Sequence, residues 1–285
     1  MSVVALRQAY HQHICQEIIR ISKRGDIEYP NFADVGNRAS INIAWGIVRR
    51  IGCLQNRELL QGQTTGGRFE VITQDFLAHA FGLLSHIRPG DWTYSVQSSI
   101  SGFDQYEHLA DLQEIIKQTD TLASALGLDY IIKPDIVVGR QPVSDSEINR
   151  FQPVVAPTDD IARLTPLRSA NKEVPRPILH ASISCKWTLR SDRSQNARTE
   201  ALNLIRNRKG SLPHIVTVTA EPLPSRIAAL ALGTGDLDCI YHFALPEMQQ
   251  TLQEMDNEDQ LDMLDTLVTG RRLRDISDLP FDLAV

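Results

Sequence analysis

The chain lacks the marks of several protein classes. Its 285 residues hold four cysteines, Cys15, Cys53, Cys185 and Cys239, with no CxxC pair among them. That spacing excludes a zinc ribbon and a dense disulfide framework, and reduced thiols are expected. No apolar run approaches the roughly 18 residues of a membrane span, and the start MSVVALRQAYHQH has no basic segment leading into an apolar one. A cytoplasmic protein with no membrane association is the expectation. Internal repeats and low-complexity tracts are missing too. Gly233-Thr-Gly235 lacks the third glycine of a dinucleotide fingerprint, and QGQTTGGR at 61–68 lacks the lysine of a P-loop. His11, His13 and Cys15 resemble a metal cluster only on paper, because on a helix His13 points away from the face that the other two share.

What remains is an ordinary globular composition, 42% apolar and 22% charged, with enough length to bury a full core. The formal charge of -6 counts against nucleic acid until it is located, because Lys and Arg supply most nonspecific affinity for phosphate. Residues 247–285 carry ten acids and three arginines, a balance of -7, which leaves residues 1–246 at +1. Residues 186–209 carry seven bases (Lys186, Arg190, Arg193, Arg198, Arg206, Arg208, Lys209) against Asp192 and Glu200, a patch of +5. Screening over roughly 8 Å lets such a patch meet a polyanion whatever the overall charge. A solvated helix face explains the same charges equally well.

Periodicity predicts helices over 4–23, 39–52, 67–87 and 106–126, the third with Phe69, Ile72, Phe76, Ala80, Leu83 and Ile87 on one face. A β-branched strand is predicted at 129–138, with Pro134 at its edge or at a bulge. Six prolines and no sustained period mark 141–177 as an interaction arm. Beyond it, strands at 178–186, 214–220 and 237–241 alternate with helices near 195–208 and 224–232, and one or two helices follow within 246–269. This alternation predicts an α/β sheet with crossover helices.

In the strand at 178–186 the faces alternate: Leu179, Ala181, Ile183 and Cys185 on one side, His180, Ser182, Ser184 and Lys186 on the other. A polar face ending in lysine fits either a cleft at the strand's end or an edge strand with one wet side. Asp135, inside an apolar segment, needs a cation or hydrogen-bond donors. Glu200 borders the stripe Ala197, Ala201, Leu204 of the next helix and can reach back over the strand end. Asp135, Glu200 and Lys186 together form a set of hard oxygen ligands for magnesium beside an ammonium, suited to phosphodiester hydrolysis. Arg190, Asp192 and Arg193 follow at once. Arginine can bind guanine O6 and N7, and aspartate can accept from cytosine N4, so the triplet can read G and C edges; it can equally be a helix cap with surface charges.

ASISCKWTLRSDRSQNAR at 181–198, PDIVV at 134–138, LIRNRKGSLPHIV at 204–216 and RDISDLPFDLAV at 274–285 resemble the NgoMIV family of restriction endonucleases. GGRFE at 66–70, HIRPGDW at 86–92 and EPLPSRI at 221–227 extend the likeness over nearly the whole chain, and it is weakest in the arm. The resemblance implies a PD-(D/E)XK core, a central mixed β-sheet flanked by helices, within one endonuclease domain spanning 1–285. It implies a bacterial, magnesium-dependent type II enzyme acting on double-stranded DNA at GCCGGC, cutting after the first G to leave 5′ overhangs with 5′-phosphates. It further implies a homotetramer, a dimer of dimers holding two DNA sites, with the arm at 143–175 as the contact region.

Carried over by position, Asp135 and Glu200 are the metal-binding carboxylates, joined by the Cys185 backbone carbonyl. Lys186 is the catalytic lysine and Glu70 an additional acid. Ser184 stands where the common pattern has its second carboxylate, which Glu200 replaces in space. Arg190, Asp192 and Arg193 correspond to readers of the inner CCGG; Asp34 and Arg226 contact the outer pair from the major groove, and Gln63 lies in the minor groove. Two other readings compete: a DNA-binding module without catalysis, and a repair or structure-specific nuclease on the same fold.

Overall fold

Residues 1–54, 56, 62–118, 132–189, 191–233 and 235–285 are described in the computed structural model, with main chain only at 62, 63, 117 and 191–194. The longer helices are α1 (Val3–Glu17), α2 (Arg38–Arg50), α3 (Gly62–Gly82), α4 (Glu107–Lys117), α5 (Ser191–Asn207), α6 (Pro224–Ala231), α7 (Leu245–Gln253) and α8 (Glu258–Thr269). The strands are β1 (Ile21–Arg24), β2 (Ile27–Pro30), β3 (Trp92–Val96), β4 (Ile136–Arg140), β5 (Ile178–Lys186), β6 (His214–Thr219), β7 (Cys239–His242) and β8 (Leu273–Asp275). β1 and β2 form a hairpin, and the rest form a six-stranded sheet in the order β3-β4-β5-β6-β7-β8. β3 pairs antiparallel with β4, Tyr94 opposite Val138. β6, β7 and β8 run parallel, with Val218 opposite Tyr241 and Tyr241 opposite Arg274. The class is therefore the expected one, α/β with a mixed central sheet flanked by helices.

Two compact units are distinguishable. One comprises Met1–Arg88, Ile183–Ala201 and Ile215–Val285; the other comprises Pro89–Ser182 and Leu202–His214. The first buries Ile14, Ile43, Ile47, Phe69, Leu77, Val218, Tyr241 and Phe243. The second buries Tyr106, Ile136, Val138, Leu179 and Leu204. There the Gln105 amide satisfies both main-chain groups of Leu179, donating to its carbonyl at 2.8 Å and accepting from its N–H at 2.8 Å. A buried amide so paired avoids the penalty of an unmade bond.

Several expected boundaries shift. The first helix stops at Glu17 rather than running to 23, because the β-branched Ile18, Ile19 and Ile21 favour extended backbone and Gly25, at φ 60°, closes the β1–β2 hairpin. α3 ends at Gly82, so Leu83 and Ile87 leave the apolar stripe and are 36% and 57% exposed. The strand expected over 129–138 begins only at Ile136, after Pro134, which has no N–H for the ladder; residues 129–131 lie outside the described residues. β3 and β8 are strands that periodicity did not indicate. β5 has neighbours on both sides and so is not an edge.

The expectation of four reduced thiols is corrected as well. Cys15 at the end of α1 is bonded to Cys53 beyond α2, with Cα atoms 5.1 Å apart, a proximity that a sequence separation of 38 conceals. Cys185 and Cys239 are free and buried. His11 bonds to the Phe243 carbonyl at 2.8 Å, and the Cys15 sulfur is held in the disulfide.

Candidate active site and DNA-reading cleft

Lys186 ends β5 at the point where the chain leaves the sheet. Its backbone carbonyl accepts from the Thr219 hydroxyl at 2.7 Å, which ties the end of β5 to the end of β6. The next residue, Trp187, is 5% exposed and meets Phe69 and Phe32 edge-on at ring separations of 5.1 and 5.5 Å. Edge-to-face rings add about 0.5–1.5 kcal/mol each beyond burial. This aromatic bed fixes the strand end beneath a cleft of about 450 Å³ whose lining includes Asp34, Cys185, Lys186, Glu200 and Arg226.

Glu200 reaches the cleft from α5, whose Ala197, Ala201 and Leu204 are buried while Glu200 is half-buried. The helical stripe thus places Glu200 in the lining of the same cleft as the strand-end lysine. Ser184 is buried two residues back along the strand and is not part of the lining. Glu70 is half-buried on α3, beside Phe69; the cleft is lined from that helix by Thr65 and Gly66, one turn earlier. Asp135 belongs to the second unit, half-buried just before β4. There Gln97 donates to it twice, from its backbone N–H to the Asp135 carbonyl at 3.2 Å and from its side chain to the carboxylate at 3.3 Å.

Of the expected base readers, Asp34 and Arg226 meet in the cleft as an ion pair, each about one-third exposed. Arg190 lies outside the described residues, as do the side chains of Gln63, Asp192 and Arg193.

A residue that sequence reasoning missed lies beneath Arg226. Glu221, 1% exposed, accepts from the Leu189 N–H at 2.9 Å and from the Leu223 N–H at 3.3 Å, with the Arg226 guanidinium 3.8 Å away. Burial pushes its carboxyl up to about 7, against the opposing pull of the Leu189 hydrogen bond and the Arg226 charge. The one available signal was a glutamate directly after the apolar strand HIVTVTA.

Among the described residues no three His, Cys, Asp or Glu side chains converge as a metal cage. Magnesium does not require one, since it keeps several waters and is held through one or two carboxylates plus substrate oxygens. Glu200 and Cys185 line the cleft, and a carboxylate oxygen and a main-chain carbonyl oxygen are hard donors of the kind that fits it; the Lys186 ammonium has no lone pair to give and stands beside them as a cation.

A family profile described as the NgoMIV restriction enzyme matches residues 10–285. The chain is 50% identical to the type II restriction enzyme NgoMIV of Neisseria gonorrhoeae, over 98% of this chain and 97% of that one. Among solved structures it is similar to the Bse634I restriction endonuclease at 12% identity and a TM-score of 0.34, covering 84% of this chain and 97% of that one. Against Bse634I with cognate DNA the identity is again 12%, with a TM-score of 0.31 and coverage of 93% and 97%.

Proposed function

The chain belongs to the NgoMIV restriction enzyme family and is a type II site-specific deoxyribonuclease, and from that premise we propose that it hydrolyses double-stranded DNA at GCCGGC with magnesium. Cleavage after the first G leaves 5′ overhangs bearing 5′-phosphates, with 3′-hydroxyls opposite. The observation that carries this reading is the meeting of Lys186 and Glu200 in one cleft with the Asp34–Arg226 pair.

Glu200 would hold the metal through its carboxylate and Cys185 through its main-chain carbonyl, with Glu70 as further negative charge; Asp135, the other carboxylate that the resemblance implies, belongs to the second unit. Bound magnesium supplies Lewis acidity, polarising the phosphoryl oxygen and making nearby water more acidic. Lys186 orients the attacking water or helps to deprotonate it, and its ammonium offsets charge that develops on the phosphoryl oxygens. Ser184 brings no carboxylate, and Glu200 takes over that role from α5.

Arg190, Asp192 and Arg193 read the inner CCGG through guanine O6/N7 and cytosine N4. Arg226 and Asp34 treat the outer pair in the same way from the major groove, and Gln63 contacts the minor groove. Residues 1–285 act as one endonuclease domain in the bacterial cytoplasm, assembled as a homotetramer through the arm at 143–175 and engaging two DNA sites.

The test is to incubate plasmids with and without GCCGGC in magnesium or in chelator and to sequence the ends. One discrete, magnesium-dependent product set starting 5′-CCGG supports the reading. Cutting at DNA junctions irrespective of sequence, or binding with no cutting, overturns it.

A further inference from the structure

We infer that Glu221 is a positioning residue that holds the inner-base and outer-base readers in fixed register with each other and with the catalytic lysine. The inference rests on the recognition scheme proposed above and deepens it.

The geometry is a single buried carboxylate serving two separate segments. One oxygen accepts from Leu189, the residue immediately before Arg190. The other accepts from Leu223, the N-cap position of α6, the helix that carries Arg226 on its first turn. The same carboxylate lies 3.8 Å from the Arg226 guanidinium, which in turn pairs with Asp34. The Glu221 backbone N–H donates to the Thr219 hydroxyl at 3.1 Å, and that hydroxyl donates to the Lys186 carbonyl at 2.7 Å. Contiguous hydrogen bonds thus run from the main chain of Lys186 through Thr219 to Glu221, and from there to the roots of both reading segments.

A neutral side chain would fill this space at lower desolvation cost, because burying a charge is expensive unless it is paired and hydrogen-bonded. The carboxylate brings two acceptor oxygens to two N–H groups and charge-assisted bonds, which are shorter and roughly twice as strong as neutral ones. Base reading needs that stiffness: bidentate contacts discriminate only when the arginine fork arrives at a fixed height and angle over the base edge. Neither Leu189 nor Leu223 touches DNA in this scheme, and Glu221 acts through the residues that follow them.

Glu221→Gln is the discriminating variant. Its amide keeps the shape, yet only one of its two polar atoms can accept. The full chain and the variants Glu221→Gln, Glu221→Asp, Arg226→Ala and Arg193→Ala are compared for binding in calcium to GCCGGC duplexes, to duplexes changed at one outer or one inner base pair, and to random duplex. Each affinity is normalised to that protein's own affinity for random DNA. Glu221→Gln is expected to lower discrimination at outer and inner positions together, by at least tenfold at each. Glu221→Asp, which retains the charge with a shorter reach, is expected to lower both by less, and it carries the test should the glutamine variant not fold. Loss at only one position, or undiminished discrimination at both, overturns the inference. Undiminished discrimination in Arg226→Ala and Arg193→Ala overturns the recognition scheme itself and the inference with it. Loss in those two with none at Glu221 overturns the positioning role alone.

Discussion

Lys186 and Glu221 are two ionisable residues joined through Thr219 by the same strand-end hydrogen bonds, and they make opposite demands. In the proposed mechanism Lys186 acts on the substrate, so Lys186→Ala should abolish plasmid cleavage in magnesium while leaving specific binding in calcium within a few-fold of the parent, as measured by gel shift. A variant that still cuts at the parent rate would remove the lysine from the mechanism. For Glu221, burial lifts the carboxyl toward neutrality. Its folded value of about 7 lies above the ordinary 4.5, so between those values the folded state binds more protons than the unfolded one and stability falls as pH rises. Glu221→Gln does not titrate. Its unfolding free energy relative to the parent should therefore improve from pH 5 to pH 8, by on the order of 3 kcal/mol, and level off above that. Parallel denaturation curves at all pH values would contradict the buried-carboxylate assignment. Lys186 was legible because strand alternation marks a lysine ending a polar face, and Glu200 because it borders a helical stripe. Glu221 was not, since its role depends on Leu189 folding back 32 positions to meet it, which no local pattern encodes.

At the scale of elements, the strands nearest the middle of the sheet were the easiest to foresee and the peripheral ones the hardest. β5 and β6 are β-branched and apolar enough to announce themselves, and their observed ends agree with expectation to within a residue. β3 (WTYSV) is half-exposed and flanked by polar residues, and it is a strand only because β4 pairs with it. β8 is three residues long and likewise depends on β7. Tertiary pairing also explains why Gly139 sits in β4: a Cβ there would lie 2.8 Å from the Thr93 hydroxyl and 2.9 Å from the Phe103 ring. Gly139→Ala should therefore destabilise the second unit by about 1–3 kcal/mol, the usual cost of overpacking a filled site. Urea denaturation of the full chain measures it, and a variant as stable as the parent would show that Phe103 can move aside. The candidate cleft depends on the same logic, because the aromatic bed of Trp187, Phe69 and Phe32 comes from three elements distant in sequence.

For the whole molecule, net charge excluded little, because the -7 of the C-terminal segment and the +5 patch around Lys186 are separate features of the chain. The arm poses the sharper question at this scale. Phe151, Ile161, Leu164 and Val174 are 92%, 76%, 98% and 74% exposed, an unusual load of large apolar side chains for one surface segment. The arm is nonetheless held in shape. Arg168, itself buried, forks onto Asp145 at 2.6 and 2.7 Å and donates to the Ala156 carbonyl at 3.0 Å, while Val143 and Leu167 join through their backbones at 2.6 Å. A segment that is ordered internally but apolar outward is suited to burial against another copy, which accords with the proposed tetramer. Phe151→Ser combined with Leu164→Ser removes apolar area without touching the fork, so the main expected effect is on assembly. Sedimentation equilibrium should show the tetramer of the parent reduced to dimers at micromolar concentration. Cleavage of a plasmid with two GCCGGC sites should then lose any advantage over a plasmid with one. Arg168→Ala should act in the same direction by loosening the arm rather than its surface. Tetramers that persist in both variants would move the contact region away from 143–175, and a parent chain that is dimeric at every concentration would remove the tetramer altogether.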